Sequence, residues 1–337
     1  MIRFILRRLA VMPLLLWGIV TIAFLLSHAV GDSPLVSIVG ERNLNNAEIV
    51  QAATERWGLD KSLFEQYVTY VVNLLHGDLG TSFRTKSAVG SDLATRLPAT
   101  LELALFALVI AVVLGTLLGV LAARNRGRAG DAAVRVLALA GSSLPVFWVG
   151  LIFLSVFYAR LGVAPSPGRL SPRVIPPPEV TGMYTVDALL HGDWPLFVDA
   201  FSHLVMPAFI MSLALLGTVI RIVRAQMLEE QTADYVRTAR AKGLSQGQVL
   251  NRHVLKNAVT PVITIVGVSI GMLIMGAVLI ETIFSWNGIG TYAVESSRSL
   301  DFPAITGVCL LGGCIFLVSN LLTDIAYAVV DPRVRLS

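Results

Sequence analysis

Charge is what this sequence has least of. Only 14% of its 337 residues are Asp, Glu, Lys or Arg, and 55% are hydrophobic, against roughly 25% charged in ordinary soluble domains. That balance excludes a soluble enzyme and indicates a membrane protein. Cysteine is nearly absent too. Cys309 and Cys314 are the only two, and five residues apart on one helix they point to different faces, so they neither bridge each other nor suggest a zinc site. No G-x-x-x-x-G-K-[ST] phosphate loop occurs, so the chain is not expected to hydrolyse ATP by itself. No H-E-x-x-H string or Cys/His cluster supports an intramembrane metalloprotease, and five scattered histidines argue against a serine protease.

What is present is a series of apolar runs near 9–30, 99–123, 136–158, 203–223, 259–281 and 305–330, each about the 20 residues needed to span a bilayer. The reading is an all-α polytopic membrane protein with six transmembrane helices. Cytoplasmic flanks are enriched in Lys and Arg. With the amino terminus inside, the inner segments carry 16 of the 26 basic residues over about half the length of the outer ones. Both termini are therefore expected in the cytoplasm. Arg7, Arg8, Arg124, Arg126 and Arg128 then sit where inner anchors belong, and the net charge of +4 requires no nucleic acid. The basic start and apolar core of the first 26 residues resemble a secretory signal, but the run continues to about Ala29, which favours a retained first helix.

Three outer segments follow from this topology. In 31–98, Asn45 precedes a helix expected to end near Gly58. Phe64, Tyr67, Val68, Val71 and Leu75 form the apolar face of a second helix, lying on the membrane surface or on the other spans. Gly77 and Gly80 permit a tight turn in GDLGTSF, where Asp78, Thr81 and Ser82 can satisfy exposed backbone. The second segment holds six prolines between Pro165 and Pro178 and reads as a stiff connector. The third opens with ETIFSWNGIG, Glu281 to Gly290, in which Phe284 and Trp286 suit the headgroup zone.

Between the fourth and fifth runs lies the polar, basic island DYVRTARAKGLSQGQVLNRHVLKNA, 234–258. Arg237 to Gly243 is a helix-forming run ended by glycine, and Val249, Leu250, Val254 and Leu255 repeat at helical spacing, so two short helices are expected to meet at a turn. This island resembles the EAA loop of ABC-importer permeases, especially the dipeptide, oligopeptide and nickel branch. Ala239, Gly243 and Leu255 fit the pattern, while Arg237, Thr238, His253 and Lys256 stand where Glu, Ala, Ile and Pro would be. GDLG-x-S, ETIFSW-x-GIG, HLVMPAF from His203 and the DPRVR end resemble the same family, although Ser62 replaces a frequent proline; His203 reads as a helix start, with a ligand role as the alternative.

The resemblance implies a type I ABC-importer-like permease with an outer helical insertion after the first helix, divided as 1–30, 31–98 and 99–337, with a cytoplasmic coupling loop at 224–258. It implies no directly bound cofactor, with ATP and Mg held by two cytoplasmic ATP-binding subunits. The other implied partners are a second homologous permease subunit, an extracytoplasmic substrate-binding protein and the lipid bilayer of the bacterial inner membrane. ATPase coupling would then rest on Asp234, Arg237, Thr238, Ala239, Arg240, Ala241, Lys242, Gly243, Leu244, His253 and Leu255. Small or apolar side chains at Ala239, Ala241, Gly243 and Leu244 would seat in a partner's cleft, and Arg237, Arg240 and Lys242 would anchor its rim.

Asp78, Ser82 and Trp286 are candidates for an outer gate or docking site, beside a purely structural reading. Pro145, Thr264, Ser269 and Gly276 are candidates for the pore wall. Gly115-x-x-x-Gly119 and Gly267-x-x-x-Gly271 read as helix-packing faces. Glu102, Arg221, Glu281 and Asp324, at or near span ends, read as interfacial anchors or helix-pairing charges. An ion-driven secondary transporter is the competing function, but it calls for inverted repeats and midplane charges that are not evident. Dipeptide, longer peptide, nickel chelate, glutathione and haem all stay open as cargo.

Overall fold

The computed structural model describes residues 2–29 and 35–330. Asp331 to Arg335 lie outside the described residues, as do the side chains of Arg7, Thr264 and Asp324. The long first helix α1 (Ile2–Ala29) leads to a short α2 (Leu35–Val39), then to α3 (Ala47–Trp57) and α4 (Leu63–Leu75). Next come α5 (Val89–Arg124), α6 (Ala129–Ser143) and α7 (Val146–Phe153), the last running into a π-helical turn over Leu154–Arg160. α8 (Tyr184–Leu190) and α9 (Trp194–Glu230) precede α10 (Asp234–Ala241). α11 (Gln246–Gln248), a π-helical stretch at Val249–Val254 and α12 (Leu255–Ala258) lead into α13 (Thr260–Ile283). α14 (Ile289–Arg298) and α15 (Phe302–Val330) complete the chain.

By length and composition α5, α9 and the Phe302–Thr323 part of α15 can each cross a membrane, and Ala10–Leu26 is a shorter apolar helix. The apolar run expected as one helix over 136–158 is instead broken. Ala129–Ser143 and Val146–Arg160 meet at 103°, because Pro145 offers no N–H to the preceding turn and drives Leu144 into the extended region, ψ 136°. α5 and α9 both outrun the predicted spans. At 36 and 37 residues each is about 55 Å long, well beyond a hydrocarbon core of about 30 Å.

The bundle is organised on the α5–α9 pair, and glycine sets how closely the two approach. A Cβ at Gly115 would stand 2.8 Å from the Val219 side chain, and one at Gly119 2.8 Å from that of Val223. Gly267 plays the same part where α13 meets α15, a Cβ there standing 2.5 Å from Thr323 Oγ1, whereas one at Gly271 would make ordinary contact, 3.5 Å, with Phe316 and Ser319. The string Gly267-Val268-Ser269-Ile270-Gly271 has the letters of a G-x-S-x-G nucleophile elbow. It lies within α13, whereas such an elbow requires a strand-to-helix turn.

Local caps explain the segment between α1 and α5. Asn46, rather than the predicted Asn45, caps α3 by accepting from the N–H groups of Glu48 and Ile49, and Gly58 closes it at φ +64°. Ser62 and Glu65 form a capping box at the start of α4. Ser62 is thus a chemically sound replacement for proline at a helix start.

Candidate functional site

The predicted pair of short helices is present. α9 hands the chain to α10, whose Val236 and Ala239, three residues apart, are buried against Val249, Leu250 and Val254 and against Val223 and Met227 of α9. Gly243, at φ +82°, ends α10 in the left-handed conformation. Its N–H donates to the Arg240 carbonyl at 2.9 Å, and the Leu244 N–H donates to that of Ala239 at 3.4 Å. Ser245 and Gln248 then form a capping box that starts the return helix. The return helix is nearly continuous through the π-helical stretch and α12 into α13. Its halves, Gln246–Gly267 and Ser269–Ile283, meet at 53°, so the loop joins the long α9 to a bent helix.

Asp234, Arg237, Thr238, Arg240, Ala241, Lys242, Gly243 and Leu244 are exposed together on one surface. His253 and Leu255 are half-buried. Ala239 departs from expectation: it faces inward and supports the loop, so its methyl is not available to a partner's cleft. Two contacts unnoticed in the sequence brace this region. Arg224 Nε and Nη2 donate to the two carboxylate oxygens of buried Asp131 at 2.7 and 2.8 Å. Arg124, at the end of α5, donates to Asn251 on the return helix. A pairing between Asp131 on α6 and Arg224 ninety-three residues later carries no local sequence pattern.

Above the loop, a cleft of about 710 Å³ lies between α7, α9 and α13. Ser269 and Gly276, two of the pore-wall candidates, line it, and Pro145 stands next to the lining residue Val146. Met211, Leu215 and Thr218 of α9 and Met272, Leu273 and Ile280 of α13 complete a largely apolar wall. Sequence reasoning missed these because both helices are apolar on nearly every face, which leaves no hydrophobic stripe to identify the lining side.

At the opposite end of the bundle from the loop, the ETIFSW-x-GIG string forms a knot. Glu281 is buried and accepts from Thr100 Oγ1 at 2.6 Å and the Thr291 N–H at 3.0 Å. A Cβ at Gly288 would lie 2.6 Å from that carboxylate, and one at Gly290 would lie 2.5 Å from the Val278 Cα. Trp286 and Phe284 are buried, correcting their expected headgroup position, and Trp286 Nε1 donates to the Ala99 carbonyl at 2.8 Å. Ser82 is also buried and donates to Asp301 at 2.5 Å. Of the three proposed gate residues, Asp78 alone is exposed, where its carboxylate accepts from the Gly80 N–H.

The proline-rich segment is pinned to the same end. Arg169 pairs with buried Glu102 at 2.8 Å, and its guanidinium stacks 3.5 Å above the Tyr184 ring. Glu102 also accepts from the Thr185 N–H and hydroxyl. Both Glu102 and Glu281 therefore join elements rather than face an interface. Arg221 donates to Ser142 and Thr218, tying α9 to α6. His203 is not at a helix start, because α9 begins at Trp194 with Asp193 as its cap. Its Nδ1 bonds the Asp199 carbonyl within the helix.

Comparison with known proteins agrees with this architecture. Residues 115–336 match the family described as binding-protein-dependent transport system inner membrane component, and residues 1–104 match the corresponding N-terminal family. A probable D,D-dipeptide transport system permease protein of Escherichia coli (strain K12) is 42% identical over 94% of this chain and 93% of its own. A di/tripeptide transport system permease protein of Pseudomonas aeruginosa (strain UCBPP-PA14) is 40% identical over 99% of both chains. A dipeptide transport system permease protein of Escherichia coli (strain K12) is 37% identical over the same shares. An exposed two-helix loop welded to long apolar helices, matched along its length by these relatives, makes the chain a member of the binding-protein-dependent transport system inner membrane component family, a multi-pass permease rather than an enzyme.

Proposed function

We propose that this chain is one of two membrane subunits of an ATP-driven importer of dipeptides or short peptides. In this reading it spans the membrane six times, with both termini and the 224–258 loop in the cytoplasm. The observation that carries the reading is the exposed surface of α10 and its turn, rimmed by Arg237, Arg240 and Lys242 around Ala241 and Leu244. A short amphipathic helix presented this way fits a groove on a partner. α9 runs directly from the loop to the wall of the apolar cleft, and α13 reaches it through its 53° bend. Closure of two ATP-binding subunits beneath the loop would therefore move the cleft wall.

The cleft supplies half of a path and a second permease subunit the other half. Its lining is apolar apart from the hydroxyls of Thr218 and Ser269, which suits passage more than tight capture. A substrate-binding protein on the opposite side would supply the cargo and its selectivity. The peptide class is supported by the full-length similarity to peptide permeases.

Reconstitution tests the proposal. Vesicles holding this chain, its partner permease and two ATP-binding subunits should accumulate labelled dipeptide only with ATP and the binding protein. The chain purified alone should not hydrolyse ATP. Peptide uptake driven by an ion gradient without ATP would overturn the reading.

A further inference from the structure

The outward side of α4 is divided into two parallel strips. Phe64, Val68, Val72 and Leu75, spaced four, four and three apart, are all exposed, Phe64 at 74% and Leu75 at 82%. One position along, Glu65, Thr69, Asn73 and His76 form an exposed polar strip. The remaining face, Tyr67, Tyr70, Val71 and Leu74, is half-buried. Five residues predicted to share one apolar face are thus split, with Tyr67 and Val71 turned inward and Phe64, Val68 and Leu75 outward.

Where α4 is attached fixes what covers the apolar strip. Tyr67 hydroxyl and Thr21 Oγ1 of α1 are 2.7 Å apart. The Phe24 ring lies 5.4 Å from that of Tyr67 and 6.2 Å from that of Tyr70. Thr21 is eight residues before the end of α1, about 12 Å of helix rise, and lies inside the 9–30 apolar run. On α1 itself Ile22, Leu25 and Leu26 are exposed beside these contacts. The apolar strip of α4 therefore lies beside the exposed apolar side of α1, within the run expected to form the first span, and the only charge in α4, Glu65, is held at its first turn by Ser62.

We propose that α4 is a lipid-embedded helix. Its Phe64–Val68–Val72–Leu75 strip seats among the acyl chains of the leaflet at the C-terminal end of α1, and its Glu65–Thr69–Asn73–His76 strip faces water. An in-plane amphipathic helix with low charge and one large apolar strip has this energetic preference. The helix would anchor the 35–88 segment to the bilayer and hold it beside the end of the bundle opposite the loop. This inference does not depend on the cargo or on ATP coupling.

Nitroxide quenching in the assembled transporter tests it. Cys309 and Cys314 are first replaced by serine, and single cysteines are placed at Phe64, Val68, Val72 and Leu75, with Glu65 and Thr69 as controls. An environment-sensitive fluorophore is attached, and the complex is reconstituted with phospholipids carrying a nitroxide on the acyl chain. Strip positions should be quenched by lipid at least about twofold more than the controls, with iodide in the buffer showing the reverse order. Equal iodide quenching of strip and control positions would overturn the proposal. So would strip positions shielded from both quenchers, which would mean that a protein subunit covers them. The conservative changes at Val68 and Val72 give readings independent of Phe64 and Leu75.

Discussion

Arg224 grips Asp131 with two hydrogen bonds of 2.7 and 2.8 Å, joining α9, which continues into the loop, to α6, which ends at the Pro145 bend. Gly127 N–H also donates to this carboxylate, and Arg135 lies 3.6 Å from it. In the proposed coupling, movement of α10 transmitted along α9 would thereby reach the broken helix beside the cleft. Asp131→Asn should lower peptide uptake more than ATP hydrolysis in the reconstituted transporter. An Asp131→Arg, Arg224→Asp double variant should recover part of the ratio. Equal losses of uptake and hydrolysis, without recovery by exchange, would reduce the pair to a structural brace.

Gly243 separates backbone conformation from side-chain crowding. Its φ is +82°, and a Cβ there would meet nothing within 4 Å. Gly243→Ala therefore carries only the left-handed penalty, about 1–2 kcal/mol, and should keep most uptake. Proline has φ fixed near −65° and cannot close α10. Gly243→Pro should assemble normally yet uncouple uptake from ATP hydrolysis. Normal uptake by the proline variant at normal expression would remove the loop from the coupling path.

Gly119 tests the opposite case, space without conformational demand. A Cβ would stand 2.8 Å from Val223 Cβ and 3.1 Å from the Ile220 carbonyl oxygen, so α5 and α9 must part. Gly119→Leu should lower the melting temperature of the purified complex, with an overpacking cost of about 1–3 kcal/mol. Val223→Ala in the same chain should return part of it. A melting temperature unchanged by Gly119→Leu would mean that this helix pair is loosely packed.

The sequence was most readable where one local rule sufficed. Glycine after a helix-forming run gave the α10 turn, and small-x-x-x-small spacing gave the α5 packing face. It was least readable where polar groups meet across the chain. Ser82 and Asp301 are 219 residues apart, and Thr100 and Glu281 are 181 apart. Trp286 shows the physical reason. An indole beside a helix end suits a headgroup as well as a core, and only the Ala99 carbonyl, supplied by a distant helix, decides between them. Pro145 was visible as a residue but not as a 103° bend, because proline can also kink a helix gently when neighbouring groups satisfy the freed backbone.

Asp187 gives a pH-dependent test of the proline-rich segment. Burial pushes its carboxyl up, but hydrogen bonds from the Thr181 hydroxyl and from the N–H groups of Thr181, Val180 and Gly182 more than reverse this and hold it below the ordinary carboxylate range. Such a group adds stability that is fully present above its unfolded value, about 3.9, and is lost as pH falls through the folded value. Hydrogen exchange of 179–190, corrected for intrinsic rate, should accelerate as pH drops below about 4. In Asp187→Asn it should already be faster at neutral pH and nearly flat with acid. A wild-type profile that the asparagine variant reproduces would assign the acid response to other carboxylates.

Leu244 and Asp78 test topology and contact together, because both are exposed and they lie at opposite ends of the bundle. Ser82 cannot serve, since its side chain is buried on Asp301. With Cys309 and Cys314 replaced by serine, a cysteine at Leu244 should react with membrane-impermeant maleimide only when the cytoplasmic face is open. In the assembled complex it should also crosslink to an ATP-binding subunit. A cysteine at Asp78 should react from the other side, since the proposed topology, drawn from the Lys and Arg distribution, puts the flank before α5 away from the cytoplasm. Labelling of Leu244 from outside, or of Asp78 from inside, would invert the topology. The coupling proposal would fall with it, because a loop that faces away from ATP cannot receive its work.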